Sequence, residues 1–192
     1  MHQVISIPKF ICRLYLKVLD NVYKYPKKEL GLADSNVSNK WYKSGRSVMH
    51  YIYLQTPLIL FLNKCIELYI FYKTGIEFDG ITRKCAPINF YKRGGFIKLH
   101  RDRNMETDRE VHFIATLILL PSLSGGHFCY YEPQYIRKVE NNGKDVFLTE
   151  NAKKVLIPLK QGQIIILRND ITAHEVTECQ TPRYSLTFRT NS

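Results

Sequence analysis

Apolar positions follow two different rhythms along the chain. From residue 1 to about 80 they recur at helical spacing. Ile11, Leu14, Tyr15, Val18, Leu19 and Val22 fall at three- and four-residue steps, so they form one apolar face, and Pro26 stops that helix. Residues 31–47 are polar and turn-rich and predict a loop. A second helix is expected from Thr56 to Lys73, with Thr56 as N-cap, Pro57 at the first helical position and Gly75 beyond its end. From about residue 84 the pattern changes to short runs rich in Val, Ile, Phe, Tyr and Thr, separated by Gly, Asn or Pro. These predict eight strands: Ala86–Tyr91, Ile97–His100, Val111–Leu120, His127–Tyr131, Lys154–Pro158, Gln163–Arg168, Ala173–Val176 and Arg183–Arg189. The polar insert Glu132–Lys153 holds the turn signal Asn142-Gly143 and reads as a protruding hairpin or loop. The expected fold is therefore α+β. Residues 1–80 form a helical segment that packs on a jelly-roll-like double sheet over residues 81–192, the whole making one structural unit.

Composition changes this picture little. The 192 residues carry 28 Lys plus Arg against 17 Asp plus Glu, a net charge of +11, which excludes an acidic disordered chain. Nine basic and three acidic residues lie in 1–55, so about half of the excess is in the helical half. The five cysteines include no CxxC pair, which argues against a disulfide scaffold or a cysteine zinc site. Reduced thiols and the lack of a signal-peptide apolar region in residues 1–9 point to an intracellular protein, cytoplasmic or nuclear. The longest apolar stretch, Pro57–Tyr72, is interrupted by Asn63, Lys64 and Glu67 and is too short to span a bilayer, so no membrane insertion is expected.

The candidate chemistry lies in His100-Arg101-Asp102, then His174, then Arg183. Alternate residues of a strand share a face, so His100 and Asp102 can aim an imidazole and a carboxylate into one pocket. His174, at the start of a later strand, can complete a two-histidine, one-carboxylate set that leaves open positions on an octahedral metal. An HxD alone is weak evidence, because a surface His and Asp beside an Arg give the same pattern. His112 and His127 compete as ligands but read as core or rim histidines, and alternation turns Glu175 away from the metal.

The ordered surroundings carry more. Asn89 to Asp102, the core strand 115–120, Gly125-Gly126-His127-Phe128, the strand 159–167, His174-Glu175-Val176 and Arg183 to Arg189 together resemble the 2-oxoglutarate/Fe(II)-dependent dioxygenase superfamily, with prolyl-hydroxylase-like and AlkB-like features, over about residues 84–190. The resemblance implies a double-stranded β-helix in which His100, Asp102 and His174 are catalytic and hold Fe(II). It implies that Arg183 binds the distal carboxylate of 2-oxoglutarate, helped by Tyr91, Ser185 or Thr187, with Asn89 as a further co-substrate contact and ascorbate as a candidate reductant. Arg189 shares a face with Arg183, Ser185 and Thr187 and is a candidate on AlkB-like grounds.

The implied reaction is hydroxylation of a macromolecule coupled to decarboxylation of 2-oxoglutarate to succinate. The Gly-Gly turn, His-Glu-Val and the nine-residue gap from His174 to Arg183 favour a protein side chain such as proline. The basic charge and the Arg-x-Ser-x-Thr-Phe-Arg strand favour oxidative demethylation of alkylated nucleic acid. Lys92, Arg93, Lys98, Arg101 and Arg103 would form a basic rim able to steer either a nucleic acid or an acidic peptide. A non-catalytic binding module of the same fold is a third reading. The sequence leaves the oligomeric state open.

Overall fold

A computed structural model describes residues 2–24, 37–43, 47–54, 56–78, 88–102, 111–141 and 143–190. In chain order its elements are β1 (His2–Ser6), α1 (Lys9–Lys24), β2 (Val37–Lys43), β3 (Ser47–Leu54), α2 (Pro57–Thr74), β4 (Ile88–Tyr91), β5 (Phe96–His100), β6 (Phe113–Leu120), β7 (Phe128–Tyr131), β8 (Ile136–Glu140), β9 (Asp145–Leu148), β10 (Lys154–Ile157), β11 (Gln163–Arg168), β12 (Ala173–Val176) and β13 (Arg183–Arg189). The strands are hydrogen-bonded in the order β1-β11-β6-β13-β4-β3-β5-β12-β7-β10, with β2 on β3, and β8 and β9 form a separate hairpin. Every pairing among these strands is antiparallel. β3 joins two faces of a sandwich, because His50–Ile52 pair with β4 while Ser47 and Val48 pair with β5. The larger face is β1, β11, β6, β13 and β4; the smaller is β5, β12, β7 and β10. The fold is a double-stranded β-helix.

Strand alternation sorts the core into two layers. Ala115, Leu117 and Leu119 of β6, Ile164 and Ile166 of β11, and Leu186 and Phe188 of β13 pack outward against Cys12, Tyr15 and Leu19 of α1 and Ile59, Leu62, Ile66 and Ile70 of α2. Ile114, Ile118, Ile165 and Leu167 face inward, with Phe128, Tyr130, Ile157 and Val176 opposite. Burial on both faces explains why β6 and β11 are continuous apolar runs rather than alternating ones. Each such side chain contributes about 1.5–3 kcal/mol.

The helices begin and end where local chemistry directs. The Thr56 hydroxyl accepts from the Ile59 N–H (3.4 Å), Pro57 occupies the first turn, and Gly75 closes α2 with φ +72° and its N–H on the Phe71 carbonyl (2.8 Å). Tyr15 donates its hydroxyl proton to the buried Asn63 carbonyl oxygen, tying α1 to α2.

The N-terminal region differs from the expected helical segment. It holds both helices, but residues 37–43, expected as loop, form β2, and β1 and β3 are further strands of the main sheet. β1 is almost wholly exposed and exists through its ladder to β11, from His2–Leu167 to Ser6–Gln163, not through an apolar pattern of its own. The expected hairpin in 132–153 forms as β8–β9 but does not stand free. Its tip docks on the barrel through the Arg101 N–H and the Gly143 carbonyl (2.8 Å), and a Cβ at Gly143 would lie 2.5 Å from the Arg101 oxygen. The boundary at 80/81, Cys85 and Arg103 lie outside the described residues. Among those described, Cys12, Cys65, Cys129 and Cys179 are free thiols, and no helix is long and apolar enough to cross a membrane.

Candidate metal and co-substrate site

The pocket lies between the two faces of the sandwich. β5 and β12 are antiparallel neighbours with His100 directly opposite His174, so the two imidazoles meet across one ladder rung with centroids 4.3 Å apart. Asp102 follows just past the end of β5. Its carboxylate oxygens lie 3.5 Å from His100 Nε2 and 3.8 Å from His174 Nε2. One ligand atom from each of the three residues lies within 4.8 Å of the others. The His100 Nδ1–H donates to the Lys98 carbonyl (2.8 Å), which leaves Nε2 as the free lone pair on the pocket side. His174 is buried, with Phe128 stacked on its ring at 5.3 Å and 17°.

The electrostatics suit a cation. Burial lowers the His174 pKa to about 3, with His100 and Arg189 adding to the effect, so the ring is neutral. Burial alone would raise the Asp102 pKa. The Arg189 guanidinium, 3.3 Å away, and the two histidines outweigh it, and the carboxyl stays ionised well below its usual range. Two neutral imidazoles and one carboxylate are the donor set of facial-triad ferrous sites, and these three residues fit such an ion.

The other end of the pocket is built by β4 and β13. Arg183 pairs with Tyr91 across the ladder and Ser185 with Asn89. Arg183, Ser185, Thr187 and Arg189 share the inward face of β13. All nine residues singled out in the sequence (Asn89, Tyr91, His100, Asp102, His174, Arg183, Ser185, Thr187 and Arg189) line this one cavity, which holds about 350 Å³ including the open mouth. Arg183 is 0% exposed, and its Nε and Nη1 have no hydrogen-bond partner. Its Cζ sits 5.1 Å over the Tyr91 ring. Burial lowers its pKa and raises that of Tyr91 to about 12. Asn89 donates to the Thr187 hydroxyl (2.9 Å).

The Gly125-Gly126 turn braces this buried end. Both residues have positive φ, and a Cβ would meet Glu178 O at 2.1 Å from Gly125 and Cys179 Sγ at 2.7 Å from Gly126, whose Cβ position is also 3.5 Å from Arg183 Cδ. Two further contributors were not apparent from the sequence. Phe128 sits in the Gly-Gly-His-Phe segment, where nothing distinguishes it from a core aromatic. Asn169 reads as an ordinary Asn-Asp turn residue. The competing histidines lie elsewhere: His112 is half exposed beside Asp170 (3.7 Å), His127 is exposed, and Glu175 pairs with Lys154 on the outer face.

Of the expected basic rim, Lys98 is exposed on β5 and Arg103 lies outside the described residues. Lys92 and Arg93 sit in the turn between β4 and β5, beside Tyr91, where the Gly94 N–H bonds the Cys179 carbonyl at the Arg183 end. Arg101 turns away from the pocket and donates to the carbonyls of Ile171 and Thr172 (both 3.1 Å).

Residues 86–189, more than half of the chain, match the family model of the 2OG-Fe(II) oxygenase superfamily. The chain belongs to that superfamily. This oxygenase is accordingly an oxidoreductase whose cofactors are Fe(II) and 2-oxoglutarate. Its fold is shared with a prolyl-4-hydroxylase from Pseudomonas putida (16% identity, 100% of this chain and 93% of that one, TM-score 0.61). It is also shared with a Trichoplax adhaerens prolyl hydroxylase in complex with a hypoxia inducible factor oxygen degradation domain peptide fragment (16%, 98% and 82%, 0.65). A third similar structure is the epimerase SnoN from nogalamycin biosynthesis, in complex with Fe3+, alpha ketoglutarate and nogalamycin RO (13%, 98% and 77%, 0.66). No curated protein matches the sequence.

Proposed function

We propose that this oxygenase hydroxylates a protein side chain, such as proline in an extended segment, at a ferrous ion held by His100, Asp102 and His174. The observation that carries the site assignment is the buried guanidinium of Arg183, with two unpartnered N–H donors on the same cavity as the three metal-ligating side chains. A buried unpaired cation is costly, and a dicarboxylate whose far end reaches it would supply the missing partner through parallel charge-assisted bonds. Tyr91, under the guanidinium, and the Ser185 and Thr187 hydroxyls would complete the carboxylate's surroundings. Asn89 would position Thr187. Arg189 would act at the opposite end, holding Asp102 ionised and oriented.

When bound, Fe(II) and 2-oxoglutarate supply oxygen activation, with the co-substrate decarboxylated to succinate and CO2 as one oxygen atom enters a substrate C–H bond. The chain's own residues bind, orient and exclude water. Phe128, Ile97 and Val176 give the cavity apolar walls, and the deep placement of Arg183 fixes which end of the co-substrate faces the mouth.

Two observations support a protein substrate over nucleic acid. Lys92 and Arg93 lie at the Arg183 end and Arg101 is engaged in the fold, so these three give no basic collar for a phosphate backbone, while Lys98 of β5 is exposed. Two of the similar structures are prolyl hydroxylases, one with a peptide bound. The test is 2-oxoglutarate turnover by the iron-loaded protein with proline-containing peptides and with methylated oligonucleotides. Peptide-stimulated turnover, with one oxygen atom added to a side chain by mass spectrometry, is expected. Stimulation by the oligonucleotide alone would contradict the reading.

A further inference from the structure

Asp102 lies beyond the last ladder pair of β5, so no sheet hydrogen bond sets its orientation. The carboxamide of Asn169, in the turn between β11 and β12, does that instead. Its Oδ1 accepts from the Asp102 N–H (2.8 Å), and its Nδ2 donates to the Asp102 carbonyl (2.8 Å) and to the Val111 carbonyl (2.7 Å). Asn169 is fully buried, and its own N–H bonds the His112 carbonyl (2.8 Å). A side chain that engages both backbone groups of one residue fixes the plane of that residue, and with it the direction of its Cβ.

The same turn is gripped from the other side. Arg101 donates to the carbonyls of Ile171 and Thr172, and the Thr172 N–H bonds the Arg168 carbonyl (3.0 Å). His174 follows two residues later. The turn 169–172 and the segment 100–102 are thus cross-linked in both directions, and all three metal-ligating side chains hang from that link.

We propose that Asn169 is a positioning residue of the metal centre: its carboxamide aligns the Asp102 carboxylate with His100 and His174. This rests on the reading of those three residues as the ligands. Positioning partners outside the ligand set typically affect metal affinity about 10–100-fold.

The test uses Co(II) as the probe, titrated into the metal-free full-length protein and followed by its visible absorption. The variants are Asn169→Ala, Asn169→Asp and, as control, Asn63→Ala, which removes an equally buried asparagine from the helix layer. Asn169→Asp keeps the acceptor for the Asp102 N–H and loses both donated bonds, so it carries the test if Asn169→Ala does not fold. The expected result is Co(II) binding weakened about 10-fold or more in both Asn169 variants, with a shifted absorption band reporting altered ligand geometry. Asn63→Ala should lower the melting temperature and leave Co(II) affinity and spectrum at wild-type values. Wild-type affinity and spectrum in the Asn169 variants, with only a lowered melting temperature, would overturn the positioning role alone. Failure of the wild-type protein to bind Co(II) would overturn the ligand assignment itself.

Discussion

Replacing Arg183 by Met separates a residue kept for its ligand from one kept for the fold. The guanidinium is buried with two N–H donors unpartnered, and its charge is stabilised by the Tyr91 face. Exchanging buried ionic groups for apolar ones of similar volume is often neutral or stabilising by about 1–4 kcal/mol. The lost contact with Tyr91 offsets about 1–2 kcal/mol of that. Metal-free Arg183→Met is therefore expected to be as stable as wild type, or more stable by about 1–2 kcal/mol. For a chain of this size that is a rise of roughly 2–8 °C in melting temperature. The 2-oxoglutarate carboxylate would lose two charge-assisted bonds of about 1.5–3 kcal/mol each, which weakens binding by at least about 100-fold. Thermal melts with and without 2-oxoglutarate, in Mn(II) without oxygen, read both quantities. The upward shift caused by 2-oxoglutarate should disappear while the baseline holds. A fall of several degrees in the baseline with the shift retained would show that Arg183 serves the fold and that the co-substrate binds elsewhere.

Further expectations follow from the same geometry. In metal-free protein, His174 has a folded pKa of about 3 against the usual 6.5, so between these values the unfolded chain takes up a proton that the folded one refuses. Stability is then full above pH 6.5 and falls as the pH drops toward 3, by up to about 1.4 kcal/mol per unit. The lowered Asp102 pKa removes a further contribution only below its ordinary value of about 4. Urea unfolding at pH 7, 5.5 and 4.5 checks this, and equal stability at all three would be contrary. Gly126→Ala places a Cβ 2.7 Å from Cys179 Sγ at φ +62°, and should cost about 1–3 kcal/mol and weaken 2-oxoglutarate binding as Arg183 shifts. Ile166→Ala, on the helix-facing side of β11, should cost about 2–5 kcal/mol in the same unfolding assay yet leave 2-oxoglutarate affinity unchanged.

The parts of this molecule that can be read along the chain are those whose signal is local. The strands of the barrel announce themselves because β6 and β11 are apolar on both faces and because Gly125-Gly126 and Gly162 punctuate them. α2 carries its own start and stop in Thr56, Pro57 and Gly75. Alternation alone puts Arg183, Ser185, Thr187 and Arg189 on one face of β13. What is not legible depends on partners far away in sequence. β1 and β2 are polar edge strands defined by what they pair with. Lys92 and Arg93 directly follow Tyr91 at the Arg183 end, and β5 then carries the chain from there to His100. Asn169 and Arg101 look like a turn residue and a surface cation, and only the 169–172 turn packed against 100–102 shows what they bond.

The most direct test is anomalous diffraction from crystals of the protein soaked with Mn(II) and 2-oxoglutarate in the absence of oxygen. The expected result is one peak at coordination distance from His100 Nε2, His174 Nε2 and an Asp102 oxygen, with the distal carboxylate of 2-oxoglutarate hydrogen-bonded to Arg183. A metal peak away from these three atoms, or a co-substrate carboxylate that leaves the Arg183 guanidinium unpaired, would contradict the assignment of this pocket.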